Sequence, residues 1–384
     1  MKKKILAAML ATAMVFTATA CGSSDSSDSE ETSTEKETDT ETEETSDVDY
    51  SYDPFDYVTM GDYKGLEITL DGDYEYTDDG YADYLSSTIS DANIYVKDDS
   101  QTEVKEDSYV NVDYVGSQDG EAFSGGTATD VTLGIEYNGD VVNQQTYIDG
   151  FCDGLVGYSV GEEVASEVTF PENYGSTDLA GQTVTFTFTI NYIAKAVTSV
   201  DDLTDDIVAD NFDYDTVEAF KEGAKADYED QLADSLEADT ETAVLNLLNN
   251  NFSVSGVPEN ILQVMMDITI NNMETYYGLE DQTLEEAYEE AGMDYDSMYS
   301  EMKESMTESL TSQLILQAIA ETEGIEIDED EFETYVKDST GADDLQTVYD
   351  YYTLDGFSGE TYIRNTYLAQ QALNFCVENA VVNY

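Results

Sequence analysis

The sequence predicts an α+β protein in which an antiparallel β-sheet wraps on a short helix and an all-α region follows. Three observations carry this. Tyr109–Gly116 (YVNVDYVG) and Thr183–Tyr192 alternate apolar with polar residues, the period of half-buried strands. Gly150–Gly175 (GFCDGLVGYSVGEEVASEVTFPENYG) reads as a glycine-pinned helical turn, a tight turn, a strand and an aromatic-tipped loop. From about Val197 to Tyr384 the apolar residues recur at helical spacing instead.

Taken in order, the chain starts with Lys2, Lys3 and Lys4, an apolar run from Ile5 to Phe16, and small residues Ala18, Thr19 and Ala20 before Cys21. The run has the pattern of a secretory signal peptide (residues 1–20) and is too short for a retained spanning helix. Cys21 after small residues resembles a bacterial lipobox, with Ala18 where that pattern usually has Leu. The expectation is cleavage before Cys21, lipid on its thiol and a place on the outer face of the bacterial cell membrane. The alternative is a freely secreted chain with a stray cysteine. Residues 21–54 are mostly Ser, Thr, Glu and Asp, which cannot bury enough apolar surface to offset chain entropy, so a disordered acidic tether is expected.

Charge and composition exclude several classes. The chain has 384 residues with 13 Lys plus Arg against 86 Asp plus Glu, a net charge of −73. Such a surface repels nucleic acid and anionic headgroups, so no nucleic-acid partner is expected and membrane association rests on the lipid of Cys21. The chain has no histidine, which removes His-based triads, His metal ligands and imidazole bases. The acidic window from Asp71 lacks the glycine and glutamate of a calcium loop, and Cys152 and Cys376 have no metal or redox spacing. They read as buried free thiols, and no metal or cofactor is expected. Paired carboxylates for glycoside chemistry cannot be singled out among 86 acids.

In the folded body, residues 55–103 contain a strand reading, Gly61–Leu70, and a short helix, Thr77–Ile89, capped by Thr77 or Asp78. Residues 104–196 hold the sheet. Asp119-Gly120 is a hairpin turn signal, and Thr183–Tyr192 places Val184, Phe186, Phe188, Ile190 and Tyr192 on one face. Val164, Val168 and Phe170 alternate until Pro171 ends the strand, because proline has no N–H to donate. In residues 197–384, Pro258 opens a helix whose stripe includes Ile261, Leu262, Met265, Met266, Ile268 and Met273. Leu310, Leu314, Ile315 and Ile319 mark another, closed by Gly324.

The order within Gly150–Gly175 resembles the peptidyl-prolyl isomerase domain of the FKBP superfamily, especially its trigger factor branch. DTVEAFKEGAKADYEDQL (Asp215–Leu232), VPENIL (Val257–Leu262) and AIAETEGIEIDEDEFETYV (Ala318–Val336) resemble the trigger factor C-terminal domain. Residues 55–103 resemble the last strand and helix of that family's N-terminal domain. The ribosome-binding part would lie upstream, where this chain has the tether, so no ribosome partner is expected. The resemblance implies an FKBP-like sheet (104–196) followed by helical arms (197–384) that cradle unfolded clients. Carried over by motif, Tyr114, Phe123, Ser124, Tyr147, Ile148, Phe151, Tyr174 and Phe186 would line a prolyl site. Phe151 stands where FKBPs often have Trp, and Ser124 where the family usually has Asp. Residues 135–146 lengthen the loop before Tyr147 and could shade the site or touch clients.

Met298, Met302 and Met306 recur every four residues toward Leu310, and with Met265, Met266 and Met273 they are candidate client contacts, methionine being flexible and polarizable. Packing between helices is the alternative. The reading is a membrane-tethered extracytoplasmic foldase: a prolyl isomerase with chaperone activity on unfolded or proline-containing exported polypeptides. A non-catalytic holdase whose FKBP domain only binds clients stays open beside it. A transporter's solute-binding lipoprotein would need alternating strands and helices, which this chain lacks.

Overall fold

The structure is a computed structural model that describes residues 50–279, 282–354 and 356–384. The signal peptide, Cys21 and the tether up to residue 49 lie outside the described residues. The chain divides into two compact units, one of residues 75–231 and one combining 50–74 with 232–384.

The elements follow in chain order. Two short strands, β1 (Val58–Thr59) and β2 (Glu67–Thr69), precede helix α1 (Asp78–Asp91), whose N-cap Thr77 accepts the Gly80 N–H at 3.0 Å. The sheet strands are β3 (Tyr95–Lys97), β4 (Tyr109–Gln118), β5 (Glu121–Gly134), β6 (Gly139–Asp140), β7 (Gln145–Thr146), β8 (Glu163–Thr169) and β9 (Thr183–Ala196). Helices α2 (Asp205–Asn211) and α3 (Val217–Asn251) follow, then β10 (Ser253–Val254). The remaining helices are α4 (Glu259–Tyr276), α5 (Leu284–Glu290), α6 (Tyr295–Glu323), α7 (Glu329–Thr340), α8 (Leu345–Tyr351) and α9 (Gly359–Glu378). The last strand is β11 (Val381–Asn383).

In residues 75–231 the sheet runs β3-β9-β4-β5-β6-β7, with β8 paired to the other part of β9. All these pairings are antiparallel, as the hairpin signal at Asp119-Gly120 requires. The short helix against the sheet is a single 3-10 turn, Asp153–Leu155, with Leu155 fully buried. Val164, Val168, Phe170, Val184, Phe186, Phe188 and Ile190 are buried, as alternation demands. Tyr192 is not on that face. The register slips between Asn111 and Val112, where Asn111 pairs with Tyr192 and Val112 with Ile190, so Asn191 is an extra residue. One extra residue inverts the facing of everything after it, and Ile193 takes the buried place. Side chains pin the bulge: the Asn191 amide donates to Asn111 Oδ1 at 3.0 Å and Asp113 Oδ1 at 3.1 Å.

The division of the chain differs from the boundaries read at residues 55, 104 and 197. Residues 55–103 form no body of their own. β2 pairs in parallel with β11, joining Ile68 to Val382, and Leu66 and Ile68 are buried in the core of the helical unit. Helix α1 instead buries Leu85 and Ile89 against Val197, Leu203, Val208 and Phe220, which draws residues 197–231 into the sheet-bearing unit. The strand read over Gly61–Leu70 shortens to three residues because only that stretch meets a partner. Nor does the packed chain start at residue 55. The Tyr50 ring lies 5.3 Å from Phe357, and the Tyr52 hydroxyl donates to Gln317 at 2.9 Å.

Candidate functional site

Among the described residues, aromatic side chains gather on the sheet in a patch. Phe151, at the end of the turn before the 3-10 helix, is 3% exposed and forms its floor. Its ring centroid lies 4.8 Å from Phe186 and 5.3 Å from Tyr114, both nearly edge-on. Tyr147 packs 4.6 Å away on one side. On the other, the path continues from Phe186 to Phe123 at 5.8 Å, to Phe170 at 6.2 Å and to Tyr174 at 4.5 Å. Such offset and edge-on pairs are the favoured aromatic geometries, so the patch holds its shape without a ligand.

Burial is graded along it. Tyr114, Phe151, Phe170 and Phe186 are buried, Phe123, Tyr147 and Ile148 are half-buried, and Tyr174 is 39% exposed. The half-buried Phe123 ring lies against two glycines. A Cβ at Gly116 would come within 2.5 Å of it, and one at Gly126 equally close, so only glycine lets the ring settle onto the strands. Seven of the eight residues named from the sequence therefore share this cluster or pack on it. Ser124 is the exception: it is exposed on β5 beside Phe123. Phe170, read only as a strand residue, is the link between Phe123 and Tyr174.

Two groups at the patch, Tyr147 and Cys152, are shifted away from neutral pH. Burial raises the Tyr147 phenol well above its ordinary value, and a hydrogen bond with Tyr114 raises it further, so it stays neutral. Burial also pushes the neighbouring Cys152 thiol up to about 12. Among the described residues no group of three His, Cys, Asp or Glu could hold a metal ion, and no helix is long and apolar enough to cross a membrane.

Sequence reasoning passed over Asn138, in the extension 135–146. That stretch forms the hairpin β6/β7, continuing the sheet from Leu133 and Gly134. At its root the Asn138 side chain binds the backbone of the turn that bears Tyr147, Ile148 and Phe151. The Asn138-Gly139 dipeptide, a strong turn signal, is what could have found it.

The candidate client contacts need correction. Met266, Met302, Met273 and Met306 are buried in the core of the helical unit, at 1%, 0%, 7% and 9% exposure, and Met265 and Met298 pack against that core. The stripe on α6 meets α4 and α9, so it is filled by the protein's own helices and offers no open face. Exposed apolar groups sit instead near the ends of α4 and α6, with Tyr276 74% and Met293 54% exposed.

Residues 100–193 match the family model of the FKBP-type peptidyl-prolyl cis-trans isomerase, and residues 216–378 that of the bacterial trigger factor C-terminus. Trigger factor of Halothermothrix orenii is 29% identical over 325 residues, covering 84% of this chain and 72% of its own length. Trigger factor of Clostridioides difficile is 28% identical, with 75% and 64% covered, and that of Staphylococcus saprophyticus 30% identical, with 72% and 61% covered. A solved structure of the trigger factor chaperone, reported for promiscuous substrate recognition in folding and assembly, superposes at a TM-score of 0.41 with 15% identity. It covers 84% of this chain and 72% of that one.

Proposed function

We propose that the chain belongs to the trigger factor family and is a membrane-tethered extracytoplasmic foldase, a prolyl isomerase that also holds unfolded exported chains. The observation that carries the catalytic part is the graded aromatic patch, buried at Phe151 and partly open at Phe123, Tyr147 and Tyr174. An X-Pro amide loses its resonance as it turns, which sets a barrier of about 18–20 kcal/mol. The reaction needs no nucleophile and no proton transfer, which suits a chain without histidine. Aromatic walls grip the proline ring and exclude water. In that setting the planar, strongly polar amide loses solvation that the twisted amide needs less, so the walls favour the transition state. Each tenfold in rate asks for about 1.36 kcal/mol of that difference.

The test is the cis-to-trans rate of a short X-Pro peptide with the full-length chain and its Phe123→Ala variant. Catalysis that falls in the variant supports the reading. A folded chain without catalysis that still suppresses aggregation of an unfolded protein moves the function to a holdase, the role that the exposed Ser124 in place of aspartate would favour.

The location rests on Lys2–Lys4, the apolar run and Cys21. With lipid on Cys21, the acidic tether repels the anionic membrane and holds the folded units away from it. Cys21→Ser should release the protein from the membrane fraction; unchanged sedimentation with membranes would remove the lipid anchor from the proposal.

A further inference from the structure

We propose that Asn138 is a positioning residue for the prolyl site, and that the extension around it acts as a brace for the aromatic patch. This rests on the reading of that patch as the site. Three hydrogen bonds leave one side chain for one short segment. Asn138 Nδ2 donates to the Tyr147 carbonyl at 3.2 Å and the Ile148 carbonyl at 3.0 Å, while its Oδ1 accepts the Cys152 N–H at 3.1 Å. Its own carbonyl accepts the Tyr147 N–H at 2.9 Å. Both donor hydrogens and the acceptor of the amide are thus committed to residues 147–152, the stretch that carries Tyr147, Ile148 and the floor Phe151.

The backbone makes asparagine the fitting residue. Asn138 has φ +54°, the left-handed region that asparagine tolerates better than other residues with a side chain. The hairpin fixes it from behind. β6 pairs Gly139 with Gly134 and Asp140 with Leu133, and Val141 is buried. Asp140 closes the far turn by accepting the Val142 and Asn143 N–H groups at 3.0 and 3.1 Å. The extension therefore ties the main sheet, through Asn138, to the turn whose only other regular element is a three-residue 3-10 helix. Neither the β6/β7 pairing nor these bonds depend on a client, so the brace is built into the resting protein.

The test compares the full-length chain with Asn138→Gly, which keeps the backbone conformation and removes only the side chain, and with Glu106→Gln, an exposed position before β4 and outside the extension. The three readouts are kcat/KM for an X-Pro peptide, the Kd of the same peptide, and alkylation rates of Cys152 and Cys376 resolved by mass spectrometry. Both thiols are fully buried, and Cys376 lies in the other unit. Asn138→Gly should lower kcat/KM about tenfold or more through weaker peptide binding, since small misplacements of positioning groups cost that much. It should speed alkylation of Cys152 and leave Cys376 unchanged, while Glu106→Gln matches the parent throughout. Parental kcat/KM in Asn138→Gly would overturn the proposal, as would equal exposure of both thiols, which would mean a global loss of structure. A parent chain with neither catalysis nor peptide binding would defeat the prolyl site itself. In that event faster Cys152 alkylation still supports the brace, and an unchanged rate removes it too.

Discussion

Two rows of large apolar side chains look alike in the sequence and end in opposite situations. The sheet row, with Phe186 and Phe123 among its members, leaves rings half-exposed at its rim, whereas the α6 row of Met302, Met306, Leu310 and Leu314 is closed over. The difference lies in what reaches each row. A helix stripe in a chain of many helices meets partners along its length, and α6 packs against both α4 and α9. The buried face of the sheet is met by one 3-10 turn and loops, too little to cover every ring. Periodicity reports that a face is apolar, and only the supply of covering elements decides whether it stays open.

The largest effect should come from the patch floor. Phe151→Ala removes a ring that touches Tyr114, Tyr147, Phe186 and Phe188, at a cost of about 3–5 kcal/mol typical of buried phenylalanine. Denaturant unfolding of the sheet-bearing unit measures it. A cost below about 1 kcal/mol would mean that the floor is loosely packed and that the contrast with the helices fails. Next is Met302→Ala. For a fully buried methionine the cost is about 2–5 kcal/mol. Client binding at a temperature where the variant stays folded should match the parent; weakened binding with unchanged stability would restore Met302 as a client contact.

The helical unit also seals in polar groups, and that gives a pH dependence. Glu241 on α3 is 7% exposed and faces the Gln370 amide of α9 at 3.5 Å. Burial chiefly, with the Glu237 charge adding and the Gln370 bond opposing, pushes its carboxyl from 4.5 up to about 7. The folded state thus binds this proton more tightly than the unfolded chain does. Stability from the neutral form is complete below about 4.5 and is lost as pH rises through about 7. Glu241→Gln should gain roughly 2–3 kcal/mol over the parent at pH 8 and almost nothing at pH 4. Denaturation curves at both values check it, and a difference that does not change with pH would mean that Glu241 reaches water.

Local signals were legible in the sequence, and partner-dependent ones were not. The Thr77 cap, the Gly324 helix end and the alternation on β8 and on β9 as far as Ile190 depend on residues a few positions apart, and the structure has them where the chain spells them. The bulge at Asn191 depends on where β4 lies, and the pairing of Ile68 with Val382 joins opposite ends of the chain, so neither leaves a local trace. The site divides the same way. Its rings were readable through motif order, while the Asn138 side chain bonds backbone atoms nine to fourteen residues away, and the Asn138-Gly139 signal records only the turn and not those partners.

The smallest stability effect should carry the largest functional meaning. Tyr174 is 39% exposed, and its main ring contact is Phe170 at 4.5 Å. Tyr174→Ala removes one partly solvated aromatic pair, a loss of about 0.5–1.5 kcal/mol. If the open rim is where a proline ring is gripped, the same substitution should lower kcat/KM for an X-Pro peptide about tenfold, because it deletes contact area present only in the complex. Tyr174→Phe keeps the ring and should retain most of that activity. A Tyr174→Ala chain that isomerises like the parent would show that the exposed end of the patch is idle surface. The patch would then be core with an incomplete cover, and the contrast between the two rows would be one of packing alone.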